Sequence, residues 1–325
     1  MNALLSTISS TLAAYSSVPY VTIPFFIVGF LALATYLLPC GLQALLPSQN
    51  LRQKYSASWA LVTGGSSGIG ASISERLASE GINVVIAALE DPLLKSSVDG
   101  LAKKYPKLQF RAVGVNLASK DFMTKIQDAT NDIEIAMVFN NAGYIKPGLF
   151  TSSSIQGILA NFDVNATCTL SITHHFMRKM QARGKRSLVC FTSSSGGLLP
   201  GPMSSIYSST KAWMTNFAVS VAAEVAEDQI DVLVVHPSPI ASNFYSNANG
   251  MTVLKAVEKS AQQPTVISDV IWKCAGRTTI VDQGAVSVGL KLLLKMLDWN
   301  LLSELMVAFV RTNGDYKMFK KAKQA

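Results

Sequence analysis

Two side chains four residues apart, Tyr207 and Lys211, carry the first chemical signal in this chain of 325 residues. On a helix, positions i and i+4 share a face. An ammonium there favours phenolate over phenol, so the tyrosine can exchange a proton with a carbonyl oxygen near neutral pH. Three serines, Ser193, Ser194 and Ser195, stand upstream as candidate hydroxyl donors. Tyr-x-x-x-Lys also arises on ordinary solvated helix faces, so its weight depends on the elements around it.

Those elements begin with Trp59-Ala-Leu-Val-Thr63, a buried-strand pattern that runs straight into Gly64-Gly65-Ser66-Ser67-Gly68-Ile69-Gly70 and an amphipathic stretch ending at Gly81. Strand, glycine-rich turn and helix in that order suit a pyrophosphate site: glycines at 64, 68 and 70 permit a tight turn, close backbone approach and close helix packing. The helix amino end would face the anion. Further strands are expected over 83–88, 110–115, 135–139, 187–191 and 232–236, each separated from the next by a helix-length segment. Six strands alternating with helices predict an α/β, doubly wound parallel sheet from 59 to 240, with a helix from Tyr207 to about Ala226. Beyond Pro239 the pattern loosens.

The flanks differ from this body. Residues 1–51 carry no charged side chain, and Val18–Leu38 is a nearly continuous apolar run, long enough as a helix to cross a hydrocarbon core of about 30 Å. The first charges, Arg52 and Lys54, follow the run, which predicts a single-pass span with the remainder cytosolic. A cleaved leader is disfavoured because no basic region precedes the run. Mean hydropathy is +0.30 and charged residues are 15%, a composition that excludes disorder and points to lipid contact. At the other end, Leu290–Val310 is apolar but interrupted by charges, as expected of an interfacial or packing helix. The tail from Arg311 holds five basic residues against Asp315, half of the net charge of +8. No aromatic-interleaved basic stripe accompanies it, so nucleic acid is not an expected partner. Cys40, Cys168, Cys190 and Cys274 are scattered without metal-ligand spacing, so neither zinc nor a disulfide framework is expected. The expected division is therefore 1–51 with a span at about 18–38, a catalytic domain over 52–285, and a C-terminal extension over 286–325.

Taken in order, Thr63-Gly-Gly-Ser-Ser-Gly-Ile-Gly70, Asn140-Asn-Ala-Gly143 and Tyr207-Ser-Ser-Thr-Lys211 resemble the cofactor, fourth-strand and active-site motifs of the short-chain dehydrogenase/reductase family. The resemblance covers about 180 residues and implies a Rossmann fold that binds NADP(H) or NAD(H). It places the family serine thirteen residues before the tyrosine, at Ser194, and the helix asparagine at Asn165. In the roles it implies, Ser194 bonds the carbonyl oxygen, Tyr207 protonates it, Lys211 stabilises the tyrosinate and holds the nicotinamide ribose, and Asn165 holds a relay water. Gly64, Ser66, Ser67, Gly68, Ile69, Gly70, Asn141, Ala142, Gly143 and Pro237 join Tyr207 and Lys211 around the cofactor. Asn165 also heads an Asn-x-Thr sequon, read as accidental in a buried position. His174, His175 and His236 are expected to be packing residues.

The chain departs from the family at three points. After the second strand it reads Ala87-Ala88-Leu89-Glu90-Asp91, without a clean acidic or basic selector; Glu90 could bond the adenosine ribose hydroxyls and would then repel a 2′-phosphate. Asn116 stands where an acid is usual and could contact adenine through its amide. Ser238 replaces the customary glycine after Pro237, which would stiffen the loop.

The anchor, the basic body and the spacing before Tyr207 look most like a membrane branch of very-long-chain 3-oxoacyl-CoA reductases and 17β-hydroxysteroid dehydrogenases. That likeness tilts the cofactor expectation toward NADP(H), and the expected substrate is a lipid-like ketone or secondary alcohol met at the membrane. Lys321 and Lys323 resemble an endoplasmic reticulum retrieval signal. A 3-dehydrosphinganine reductase is the neighbouring alternative. A non-catalytic nucleotide sensor or lipid scaffold is the alternative from another class. A homodimer fits the family's habits.

Overall fold

In a computed structural model, residues 5–11, 19–247 and 251–324 are described. Val18, where the expected span begins, and Ala325 of the tail lie outside them, as does the Lys323 side chain. In chain order the elements are α1 (5–11), α2 (Pro19–Leu45), α3 (Leu51–Lys54), β1 (Trp59–Thr63), α4 (Gly68–Ser79), β2 (Asn83–Ala88), α5 (Pro92–Lys104), β3 (Phe110–Gly114), α6 (Phe122–Asp128) and β4 (Ile135–Asn140). They continue with α7 (Ile155–Phe162), α8 (Cys168–Arg183), β5 (Ser187–Thr192), α9 (Ser205–Glu224), β6 (Ile230–Pro237), α10 (Thr252–Glu258), α11 (Thr265–Cys274), β7 (Ile280–Gln283), α12 (Gly284–Met296), α13 (Trp299–Phe309) and α14 (Gly314–Gln324).

The seven strands form one sheet in the order β3-β2-β1-β4-β5-β6-β7, and every pairing is parallel. Successive residues point to opposite faces, which gives two cores. One joins Ala60, Val62, Val84 and Ile86 to Leu77 of α4 and to Ile267, Ile271 and Trp272 of α11. The other joins Leu61, Val85 and Val189 to Ile172 and Phe176 of α8 and to Met214 and Ala218 of α9. Strands buried on both faces read as continuous apolar runs, which is why β1, β2, β4, β5 and β6 are legible in the sequence.

One strand escapes that reading. β7 has four residues of alternating exposure at the sheet edge, and its register runs Val234 to Ile280 through Pro237 to Gln283. So short a strand carrying Asp282 offers neither a run nor a usable period.

The apolar amino-terminal run does form a helix of 27 residues. Within it Thr22–Leu45 holds an 18-residue stretch of mean hydropathy 2.1, and Phe25, Phe26, Val28 and Phe30 face outward. It extends past the expected end at Leu38, through Pro39, because its last turns rest on the sheet edge. Tyr36, Cys40 and Gln43, spaced i, i+4, i+7, are half-buried there. Gln43 donates to the Thr278 hydroxyl and to the Ile280 carbonyl, each at 3.2 Å. The link to β1 is fixed as well: Leu51 and Tyr55 are fully buried, Tyr55 donates to Asp231 at 2.9 Å, and Gln49 donates to the Trp272, Lys273 and Ala275 carbonyls.

At the far end, buried Asp315 accepts the Thr252 and Val253 N–H groups at 2.8 and 3.1 Å, which clasps α14 onto the start of α10.

Candidate active site

The site lies at the carboxyl ends of β1, β4, β5 and β6, where an open α/β sheet leaves its crevice. After β1 the chain turns through Gly64 at φ +63° and Gly68 at φ +52°, in the left-handed region that favours glycine. A Cβ on Gly64 would stand 3.0 Å from Ala142 Cα, one on Gly68 would stand 2.8 Å from Ser242 Cβ, and one on Gly70 would collide with the Gly64 carbonyl. α4 then starts at Gly68, and its cap residue Ser67 makes no side-chain capping bond. The first-turn N–H groups, with half-exposed Ser66 and Ser67 beside them, are thus available to an anion. This donor set fits the phosphates of a dinucleotide.

Thr63 joins that turn to the end of β4. Its hydroxyl accepts from the N–H groups of Asn141 and Ala142, both at 3.0 Å, and donates to the Phe139 carbonyl at 3.3 Å. The Asn141 amide donates to the Thr63 and Gly64 carbonyls at 3.0 and 3.4 Å, so its side chain holds the turn itself. In the sequence Thr63 is a strand end and the first residue of the glycine motif; two backbone donors on its hydroxyl are invisible there.

Asn165 sits in a π-helical turn, Asp163–Thr167, between α7 and α8. It is fully buried, which leaves the sequon inaccessible. Its amide brackets Tyr144, accepting from the Tyr144 N–H at 3.0 Å and donating to the Tyr144 carbonyl at 2.9 Å. A Cβ on Gly143 would stand 2.9 Å from Asn165 Oδ1 and 3.3 Å from Lys211 Nζ, so that glycine lets three elements meet.

Of the three serines, Ser193 turns its hydroxyl to the Lys211 carbonyl at 2.8 Å and Ser195 is buried. Ser194 alone turns toward the Tyr207 side chain: a Cβ on Gly196 would stand 3.3 Å from both Ser194 Oγ and Tyr207 Cε1. The Ser194 Oγ accepts the Gly196 N–H at 3.0 Å, which fixes the rotamer. Burial pushes the half-buried Tyr207 phenol up to about 12, opposed by the neighbouring Ser194 hydroxyl and reinforced by Tyr245, so the free phenol is not lowered by Lys211 as the spacing alone suggests. Lys211 is 3% exposed, and burial pulls its ammonium down to about 8. It lies 5.8 Å from the Tyr207 ring centroid and donates to the Thr192 carbonyl at 2.7 Å.

The outer residues are arranged more loosely. Exposed Glu90 lies across Gly114, whose added Cβ would meet Glu90 Cγ at 2.8 Å, so its carboxylate stands at the β2–β3 end of the crevice. Exposed Asn116 accepts the Ala118 N–H at 3.0 Å. Pro237 closes β6, and Ser238 is buried with its hydroxyl accepting the Ser287 N–H at 3.1 Å. The serine therefore pins the loop to α12. Beyond it Phe244 reaches back over Tyr207, with ring centroids 5.3 Å apart, and packs edge-on against Tyr245.

His236 is not a plain packing residue. It is fully buried between Asp282, at 2.5 Å from Nδ1, and Thr215, at 2.9 Å from Nε2. A surface groove of about 530 Å³ beside His174 and His175 touches none of the residues above.

Residues 58–252 match the family model for short chain dehydrogenases. The chain belongs to the short-chain dehydrogenase family. Among family members, a very-long-chain 3-oxoacyl-CoA reductase of Laccaria bicolor is 31% identical over 194 residues, 58% of this chain and 57% of that protein. The match thus spans little more than half the length of such relatives. A 7beta-hydroxysteroid dehydrogenase of Mediterraneibacter gnavus is 27% identical over 235 residues, 72% of this chain and 88% of that protein. A solved 7beta-hydroxysteroid dehydrogenase shares the fold with a TM-score of 0.69 at 24% identity, over 76% of this chain and 95% of its own. A short-chain dehydrogenase from Sphingobium yanoikuyae in complex with NADPH gives 0.62 at 22% identity, over 69% and 87%.

Proposed function

We propose that this family member is a nicotinamide-dependent oxidoreductase that interconverts a ketone and a secondary alcohol on a lipid-like substrate at a membrane. The observation that carries the reading is the convergence of Ser194, Tyr207, Lys211 and Asn165 beside a glycine turn built for phosphates. A bound NADP(H) or NAD(H) supplies or accepts the hydride, held by Gly64 to Gly70, Asn116 and Ala142–Gly143, with Glu90 toward the adenosine ribose.

The protein's own part is to manage charge on the carbonyl oxygen. As that oxygen becomes anionic, the Ser194 hydroxyl donates to it and the Tyr207 hydroxyl transfers its proton. Lys211 offsets the tyrosinate that remains. Because Lys211 is held by Thr192, the cation is in place before reaction and needs no reorganisation. Asn165 fixes the loop at Tyr144 that walls the same space.

Two features favour an apolar substrate. Phe244 and Tyr245 form an aromatic wall over Tyr207. α2 carries an outward apolar surface long enough to span a bilayer, and α13 adds exposed Leu301, Leu305 and Phe309. The relatives' names make a 3-oxoacyl-CoA or a steroid the first substrates to try. We place the protein in the endoplasmic reticulum membrane with its catalytic body cytosolic. Protease added to sealed microsomes then removes the basic tail, and a protected tail would overturn that topology. Detergent-solubilised protein offered NADPH or NADH with 3-oxoacyl-CoAs, steroid ketones and 3-ketosphinganine is expected to turn over one class. Nucleotide binding with no turnover of any carbonyl would favour a scaffold instead.

A further inference from the structure

A chain of hydrogen bonds runs from the apolar helix α2 to the helix that carries Tyr207 and Lys211. It begins at Tyr36, whose hydroxyl donates to Asp282 Oδ2 at 3.0 Å. The other oxygen, Asp282 Oδ1, faces His236 Nδ1 at 2.5 Å, and both side chains are nearly inaccessible, at 5% and 0% exposure. His236 Nε2 lies 2.9 Å from Thr215 Oγ1. Thr215 Oγ1 lies 2.9 Å from Ser193 Oγ and 3.1 Å from the Lys211 carbonyl oxygen, which also accepts from Ser193 at 2.8 Å. The chain ends where the Lys211 backbone and the residue preceding Ser194 meet.

The donor count makes this more than adjacency. A carboxylate offers only acceptors, so His236 Nδ1 carries a proton and its ring is aimed by Asp282. With a neutral imidazole, Thr215 donates to Nε2 and Ser193 alone holds the Lys211 carbonyl. With an imidazolium, Nε2–H donates to Thr215 and frees the Thr215 hydroxyl for Lys211. In both arrangements the ring's orientation decides where Thr215 points. Thr215 sits one turn beyond Lys211 on α9.

We propose that Asp282 and His236 are positioning residues that couple the seating of α2 on the sheet edge to the placement of Lys211. α2 touches the body along Tyr36, Cys40 and Gln43, and Tyr36 alone of these meets the buried pair. A membrane helix docked through Tyr36 therefore sets the geometry of the proton-transfer helix, and a displaced one loosens it. The proposal rests on the reading of Lys211 and Tyr207 as the reacting pair.

The test uses full-length protein in nanodiscs, with Tyr36→Phe, Thr215→Val, Thr215→Ser and the Tyr36→Phe/Thr215→Val double variant. With NADPH and 3-oxostearoyl-CoA, each of Tyr36→Phe and Thr215→Val should lower kcat roughly 3–10-fold, the scale of one lost hydrogen bond, with KM within about twofold. Thr215→Ser, which keeps the hydroxyl, should restore kcat. Since both changes cut the same chain, the double variant should be no worse than the poorer single one, whereas independent sites multiply. Hydrogen exchange needs no substrate: Tyr36→Phe should speed exchange of the 207–215 amides while leaving β1 and β4 unchanged. Multiplicative kcat losses, or unaltered exchange in 207–215, would overturn the coupling. A Tyr207→Phe control separates the two claims. If it retains activity, the catalytic reading has failed and the exchange result judges the coupling alone.

Discussion

Lys211 donates its ammonium to the carbonyl oxygen of Thr192, the last residue of β5, at 2.7 Å. The strand that leads to Ser194 and the helix that carries Tyr207 are thereby joined through the cation itself. The ammonium is held in a dry setting, and its charge state follows from that.

Because burial sets Lys211 near 8, against about 10.4 for a free lysine, the ammonium is lost as pH rises through about 8. For ketone reduction, kcat/KM of the free enzyme should be flat below that value and fall above it. The sign for stability is opposite. Between about 8 and 10.4 the unfolded chain binds the proton that the folded chain has released, so this residue's contribution becomes more favourable with rising pH. A pH–rate profile that stayed level to pH 10 would contradict the assignment.

Thr63→Val keeps the β-branched shape but removes the acceptor of two backbone N–H groups. Leaving buried donors unpaired costs about 1–3 kcal/mol. The variant should therefore unfold at lower denaturant concentration and bind nucleotide more weakly, as its glycine turn loosens from β4. Unchanged urea midpoint and nucleotide affinity would show that the link is dispensable.

Glu90 stands over Gly114 with no basic side chain at positions 89 to 94. If its carboxylate faces the ribose, Glu90→Gln should tighten NADPH relative to NADH by roughly 3–10-fold, the loss of one partly screened like-charge contact. The ratio of the two dissociation constants, measured by nucleotide fluorescence, checks this. An unmoved ratio places the carboxylate away from the 2′ position.

Burial of Asp315 works against its charge, yet the N–H groups of Thr252 and Val253 outweigh it and hold the carboxyl below its ordinary range. The clasp therefore contributes stability above about pH 4, and this is lost as pH falls through the depressed value. Asp315→Ala should leave α14 open to limited proteolysis at neutral pH, with β-sheet amides still protected. Equal proteolysis of both proteins would argue that the clasp holds nothing.

What the sequence discloses divides along physical lines. β1 and its glycine turn are legible because a double-faced buried strand is an apolar run and because left-handed backbone favours glycine. Tyr207 and Lys211 are legible because helical spacing is local. Ser194 is separable from Ser193 and Ser195 only through the family spacing; in the fold, Ser193 turns to the Lys211 carbonyl and Ser194 lies beside the Tyr207 ring. Tyr36, Asp282 and His236 form a unit across 246 and 46 residues of sequence, and no periodicity marks such a pairing. β7 stays hidden because four alternating residues at an edge carry too little pattern, and Asp315 because a clasp on backbone N–H groups asks nothing of the sequence at Thr252.

The most direct measurement is single-turnover reduction by Tyr207→Phe with NADPH and a carbonyl substrate accepted by the wild type, alongside nucleotide affinity. If Tyr207 donates the proton as proposed, removing its hydroxyl should lower the reduction rate by about a thousandfold or more. Nucleotide affinity should stay within about threefold, since the glycine turn is untouched. A Tyr207→Phe protein that reduces the carbonyl at the wild-type rate would contradict the mechanism.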